Sequence, residues 1–113
     1  MKRNDRRDLF PGALEMMILR TLQRRPLHGY ALAREIKRTS NDLLQIEEGS
    51  LYPALQRLLT HGLVTSEWRV SSTNRRVRNY KLTRAGAGHL GREVLRFNRM
   101  LEGITRVLAP GET

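Results

Sequence analysis

Six apolar residues near the C-terminus, Leu90, Val94, Phe97, Leu101, Ile104 and Leu108, recur at spacings of 4, 3, 4, 3 and 4, a seam of two and a half heptads along one helix. Thr83 can cap that helix and Pro110-Gly111 closes it. About 25 residues then span roughly 38 Å. The chain has 113 residues, enough for one domain, and 39% of them are hydrophobic. That supplies a modest core with little to spare. A seam of this length outreaches the cover so small a domain can offer. Gly86, Gly88, Gly91 and Gly103 each cost about 1 kcal/mol against Ala inside a helix, so packing rather than propensity has to hold the element. A second copy of the chain is the simplest cover, which makes the seam the expected dimerisation surface. The alternative, folding back on the first helix, would leave much of it bare because that helix is only about half as long.

Upstream, the apolar stripe of Leu14, Met17, Ile18, Thr21 and Leu22 predicts a first helix that ends at Arg24-Arg25-Pro26. Leu27-His28-Gly29 reads as a turn into a second, short helix with Leu32, Ala33 and Ile36 inside, ending near Ser40-Asn41. Ile46 to Ser50 reads as a turn into a third. There Ser50 is placed as the N-cap, and Pro53 early enough in the first turn to lose no hydrogen bond. Leu51, Leu55, Leu58 and Leu59 face inward, while Tyr52, Pro53, Gln56, Arg57 and Thr60 form the opposite face. Gly62 is suited to the left-handed C′ position that stops the helix.

From Leu63 the period changes to two. Val64, Ser66, Trp68 and Val70 alternate with Thr65, Glu67 and Arg69, and Val77 to Leu82 alternates again after the turn residues 71–74. This predicts a β-hairpin, with Trp68 on its core face and Arg69, Arg75, Arg76, Arg78 and Lys81 on or beside its tip. Three helices followed by a basic hairpin is the order of a winged helix-turn-helix, whose third helix enters the major groove of DNA while the hairpin touches flanking phosphate or minor groove.

The charge agrees, for 21 Lys and Arg against 11 Asp and Glu give a net +10, a field that favours polyanions. Gln56 and Arg57 are the side-chain types that read adenine and guanine edges bidentately, and Tyr52 at the helix start is placed for phosphate or a thymine methyl. Five cations on one hairpin repel one another and call for a counter-charge, which a phosphate backbone supplies.

Other classes fare worse. No cysteines means no disulfide framework, no thiolate zinc site and no cysteine nucleophile. Met1 to Asp8 is charged with no apolar stretch behind it, and no run approaches the roughly 20 apolar residues of a membrane span, so a cytoplasmic protein without a membrane partner is expected. Gly86-Ala87-Gly88-His89-Leu90-Gly91 spells GxGxxG, yet no second parallel strand follows it, as a dinucleotide site requires. The GxxG of an RNA-binding KH loop at Gly88 to Gly91 sits among elements in the wrong order. His28, His61 and His89 are scattered, and Glu47 and Glu48 lie where acids complement a helix dipole. No catalytic residue, metal or cofactor is expected.

The run His28-Gly29-Tyr30 with Leu32 and Ile36, then Glu48-Gly49-Ser50-Leu51-Tyr52-Pro53-Ala54-Leu55 with Leu58, Gly62-Leu63, Trp68, and Asn79-Tyr80-Lys81-Leu82-Thr83 with Gly86 resembles the PadR-like transcriptional regulators over residues 14 to 90. The resemblance implies a winged-helix homodimer whose C-terminal helix exchanges contacts with its mate and which represses genes from a palindromic operator. It also implies, for some members, a small hydrophobic or aromatic effector near the dimer interface. Here the only aromatic on the C-terminal helix is Phe97, on the seam, where a core role is the commoner one.

The expected protein is therefore mainly α with a small β-hairpin: a basic N-terminal arm over 1–12, a winged helix over 13–82, a dimerisation helix over 83–109 and a tail over 110–113. Its partner is double-stranded DNA. Ser50, Tyr52, Pro53, Gln56 and Arg57 form the recognition helix's contact set and Arg75, Arg76 and Arg78 that of the wing, with His28, Tyr30 and Lys81 as further phosphate contacts. The reading from another class is a winged helix that docks a different protein on its seam. Non-specific RNA or chromosome coating is disfavoured by an aromatic content of only 5%.

Overall fold

A computed structural model describes residues 12–111. The expected basic arm lies outside them except for Gly12, as do the last two residues of the tail. Among the described residues the order is α1 (Ala13–Arg24), β1 (Leu27–His28), α2 (Gly29–Thr39), α3 (Glu48–Thr60), β2 (Val64–Val70), β3 (Arg76–Leu82) and α4 (Arg84–Leu108). This is the expected winged helix with its long C-terminal helix. The hairpin carries a third strand, because Leu27 and His28 pair antiparallel with Tyr80 and Asn79 and give a sheet in the order β1-β3-β2. Leu27-His28 is thus a sheet edge rather than a plain turn.

The core joins all of these elements. Ile18, Leu19 and Leu22 of α1 meet Leu32 and Ile36 of α2, Leu51, Leu55 and Leu58 of α3, Val64 and Tyr80 of the sheet, and Leu90 of α4. Truncating a fully buried member such as Ile18 or Leu55 to Ala would cost about 2–5 kcal/mol.

Two junctions fix how α3 and α4 are held. The Leu63 N–H donates to the Leu58 carbonyl at 2.9 Å and the Gly62 N–H to that of Leu59 at 3.0 Å, with Gly62 at φ 72°. This is the Schellman pattern that the glycine permits. Thr83 then ties the end of α3 to the start of α4: its hydroxyl donates to the Gly62 carbonyl at 2.8 Å and accepts from the Gly86 N–H at 3.0 Å as the expected N-cap. Gly86 allows the close approach. A Cβ there would stand 2.1 Å from the Leu63 carbonyl oxygen, whereas one at Gly91 would meet nothing. The glycines of 86–91 therefore differ in role, and the first of them serves helix packing.

Candidate nucleic-acid interface

Helix α3 starts earlier than its side chains imply. Glu47 is the N-cap, and its carbonyl accepts from the Ser50 and Leu51 amides at 3.0 and 2.9 Å. Ser50 is accordingly a half-buried residue of the first turn and not the cap. Pro53 falls in the second turn, so it offers no N–H to the Gly49 carbonyl; Gly49 and Pro53 are both exposed, where water can serve that carbonyl instead. With Leu51, Ala54, Leu55 and Leu58 buried, the exposed side of α3 presents Tyr52, Pro53, Gln56 and Thr60.

That side of the helix forms one wall of a cleft of about 450 Å³. His28 and Tyr30 line one end, and Trp68, Arg76, Arg78 and Tyr80 of the sheet form the other wall against Tyr52 and Gln56. His28 holds its place by capping α2: its Nδ1 accepts from the Ala31 N–H at 3.3 Å. An imidazole accepting at Nδ1 carries its proton on Nε2, which is then the nitrogen able to donate to an anion. Tyr52 packs its ring against the backbone at Gly29. Burial, and next to it the Glu48 carboxylate, pushes the Tyr52 phenol above its ordinary value of 10.0, so it keeps its O–H as a donor.

The hairpin divides its cations between two faces. The register sets Trp68 opposite Arg78 and Val70 opposite Arg76, on the same face as Val64 and Tyr80. At the base this face is core; beyond Ser66 it runs past the core, and Trp68 is 57% exposed rather than buried as expected. Its ring carries two guanidinium groups, Arg76 at 4.6 Å and Arg78 at 5.6 Å from the centroid. Arg78 also donates to Ser66 Oγ at 2.8 Å. On the opposite face Arg69 bridges to Glu67 at 2.8 Å, which holds that carboxyl below its ordinary value, and Lys81 lies exposed on that face, apart from the cleft. Arg75 is in the turn, where Asn74 takes φ 62°. Alternation finds the faces, but only the reach of the sheet beyond the core shows that Trp68 belongs to the cleft.

Arg57 does not join this group. It lies at the other edge of α3, with its Nε donating to Glu15 Oε2 of α1 at 2.8 Å and a terminal nitrogen 2.7 Å from the same oxygen. The seam is likewise divided. Leu90 is buried against the core and Val94 lines a hollow with Met16, Met17 and Ile36. Phe97 and Ile104 are half-buried, whereas Leu101 and Leu108 are exposed, along with Met100 and Val107. No described helix is long and apolar enough to cross a membrane.

Comparison with known proteins gives a consistent result. The Transcriptional regulator PadR-like family profile matches residues 18–92. A transcriptional regulator of Mycobacterium tuberculosis is 32% identical over 107 residues, covering 95% of this chain and 92% of that one. Among solved structures, a PadR family transcriptional regulator from Eggerthella lenta superposes with a TM-score of 0.76 at 29% identity, over 89% of this chain and 86% of that one. Bacillus subtilis PadR in complex with operator DNA shares the fold, with a TM-score of 0.65 at 24% identity, over 73% of this chain and 46% of the other.

Proposed function

Since the chain belongs to the PadR-like family of transcriptional regulators, we propose that it acts as a sequence-specific DNA-binding repressor, working as a homodimer on a palindromic operator. The observation that carries this reading is the cleft itself. Recognition helix, aromatic rings and wing cations converge on one open surface: Gln56 and Tyr52 on one side, Arg76 and Arg78 stacked on Trp68 on the other, and His28 and Tyr30 at the end. In this reading Gln56 reads a base edge in the major groove, with Pro53 packed beside it. Tyr52, Ser50, His28 and Tyr30 orient the helix on phosphate, and Arg75, Arg76 and Arg78 grip the backbone or the minor groove. Lys81, on the far face of the wing, contributes long-range attraction. Arg57 reaches a base only when its pair with Glu15 opens, a modest requirement because exposed pairs are worth about 1 kcal/mol or less.

Dimerisation rests on the exposed distal half of α4, where Leu101 and Leu108 with Met100 and Val107 leave an apolar surface that a second α4 can cover. Residues 13–82 would then act as the reading head and 83–109 as the arm that sets half-site spacing. The hollow of about 310 Å³ that Val94 shares with Met16 and Met17 is where a small hydrophobic effector would meet that arm. The test is selection of bound duplexes from a random library at about 150 mM salt. Enrichment of an inverted repeat supports the proposal. Recovery of unselected sequence, with a dimer still formed, would favour the protein-docking module instead.

A further inference from the structure

The cleft does not end at Tyr30. The same ring, 62% exposed, also borders a second, open hollow of about 750 Å³ on the outer side of α2, with Arg25, Arg34, Lys37 and Arg38 around it. Arg34 stacks on Tyr30 at 5.6 Å from the ring centroid, as Arg76 and Arg78 do on Trp68. Guanidinium groups are thus laid on both of the exposed rings, Tyr30 and Trp68, that line the cleft. The hollow holds two carboxylates. Glu35 is taken up by Arg38 at 2.6 Å, and Asp42 sits at the rim. No ion pair within 4.0 Å is found for Arg25, Arg34 or Lys37 among the described residues.

We infer that this outer face of α2 is a second phosphate track, for duplex flanking the half-site that α3 reads. The inference rests on the DNA-binding reading above. Three features favour a continuing duplex over another polyanion. The track is continuous with the cleft through Tyr30. It is open rather than enclosed, as a rod-like ligand requires. Arg34 and Lys37 stand three residues apart on one helix face, a row of cations rather than a pocket for a compact anion. An acidic protein surface would need no such continuity with the cleft.

The probe is the inverted repeat recovered by selection, prepared without flanks and with about one helical turn, about 10 base pairs, added on each side. Flanks should tighten wild-type binding about tenfold and steepen the salt dependence, since each added phosphate contact adds about 0.9 to the log–log slope. Arg34→Ala with Lys37→Ala should abolish both effects while leaving the unflanked duplex within a few-fold of wild type. Arg92→Ala with Arg99→Ala, an equal loss of charge on the face of α4 away from the seam, should leave the flank effect intact. If flanks change nothing, or the α2 variant keeps the whole effect, the track is refuted although the repeat still binds. If selection recovers no repeat that wild type binds, the DNA-binding reading falls and takes this inference with it.

Discussion

Tyr52 and Gly29 are in direct contact across the joint between α3 and α2: a Cβ on residue 29 would stand 2.6 Å from Tyr52 Oη and 2.8 Å from its Cε1. The glycine is the first residue of α2, and its neighbours on either side, His28 and Tyr30, both line the cleft. Its lack of a side chain therefore sets where the phenol of Tyr52 on α3 points.

Gly29→Ala should move that phenol rather than unfold the protein. The Tyr52 ring is 44% exposed and can swing away, so the stability cost should sit at the low end of the overpacking range, about 1 kcal/mol. DNA affinity should fall as far as it does in Tyr52→Ala. The double variant should be no worse than either single one, since both remove the same contact. Thermal melts and binding titrations on the four proteins check this, and additive losses would show that Gly29 acts through something other than Tyr52.

The glycines of 86–91 should respond in opposite directions. Gly86→Ala places a Cβ 2.1 Å from the Leu63 carbonyl and 2.7 Å from Leu82 Cδ1, where backbone cannot yield, and should cost about 3 kcal/mol or more. Gly88→Ala and Gly91→Ala meet open space or only the Arg92 guanidinium at 3.6 Å, and each should stabilise by up to about 1 kcal/mol through helix propensity. Denaturant midpoints separate these signs directly.

Much of this architecture is legible in the sequence because it rests on periodicity and caps. The stripe of α1, the alternation of the hairpin, Gly62 as a C′ residue and Thr83 as an N-cap are each local rules that the packing does not override. The departures have physical causes too. A strand of two residues, Leu27–His28, is too short to show a period, and an imidazole is an uncommon cap. Helix α3 begins at Glu48 because the Glu47 carbonyl closes the first turn, so Glu48-Gly49 is helical despite its turn-like composition. Trp68 obeys the alternation and still lies open, since the sheet outruns the core beneath it. Arg57 shows the limit of a helical wheel: it lies at the edge of the outward face, and an acid on another helix, Glu15, decides which way it turns.

That pairing yields a prediction for α3. Gln56→Ala should cost about 1–3 kcal/mol on the selected repeat and little on random duplex. Arg57→Ala should cost less while Glu15 is present. Glu15→Gln should free the guanidinium and raise affinity a few-fold, and Arg57→Ala should then erase more than it does in the wild-type background. Titrations of the single and double variants on repeat and random duplex give the coupling, and an uncoupled pair would place Arg57 on DNA from the start.

Trp68 offers a signal that needs no label, because it is the only tryptophan in the chain. Its emission should be that of a largely exposed indole in free protein, and should be quenched or shift to shorter wavelength as duplex covers the cleft. Trp68→Phe should keep most of the affinity, since a ring for Arg76 and Arg78 remains, whereas Trp68→Ala should weaken repeat and random duplex alike by about 0.5–1 kcal/mol. An emission unchanged at saturating DNA would put the wing outside the complex.

The distal half of α4 should decide oligomeric state without touching the fold of residues 13–82. Leu90 is buried in the core, so its loss confounds folding with assembly; Leu101 and Leu108 are 42% and 75% exposed within a single chain, so charge placed there costs the single chain far less. Leu101→Glu with Leu108→Glu should convert a particle of about 26 kDa, twice the 13.1 kDa chain, into a monomer by light scattering, with an unchanged far-UV spectrum per residue. Binding to an inverted repeat should then fall by at least about 100-fold, because two half-sites no longer share one bound partner, while binding to a single half-site should hold within a few-fold. A variant that stays dimeric would move the interface to the buried end of the seam, around Val94 and the Met16-Met17 hollow, and the half-site spacing would have to be set there instead.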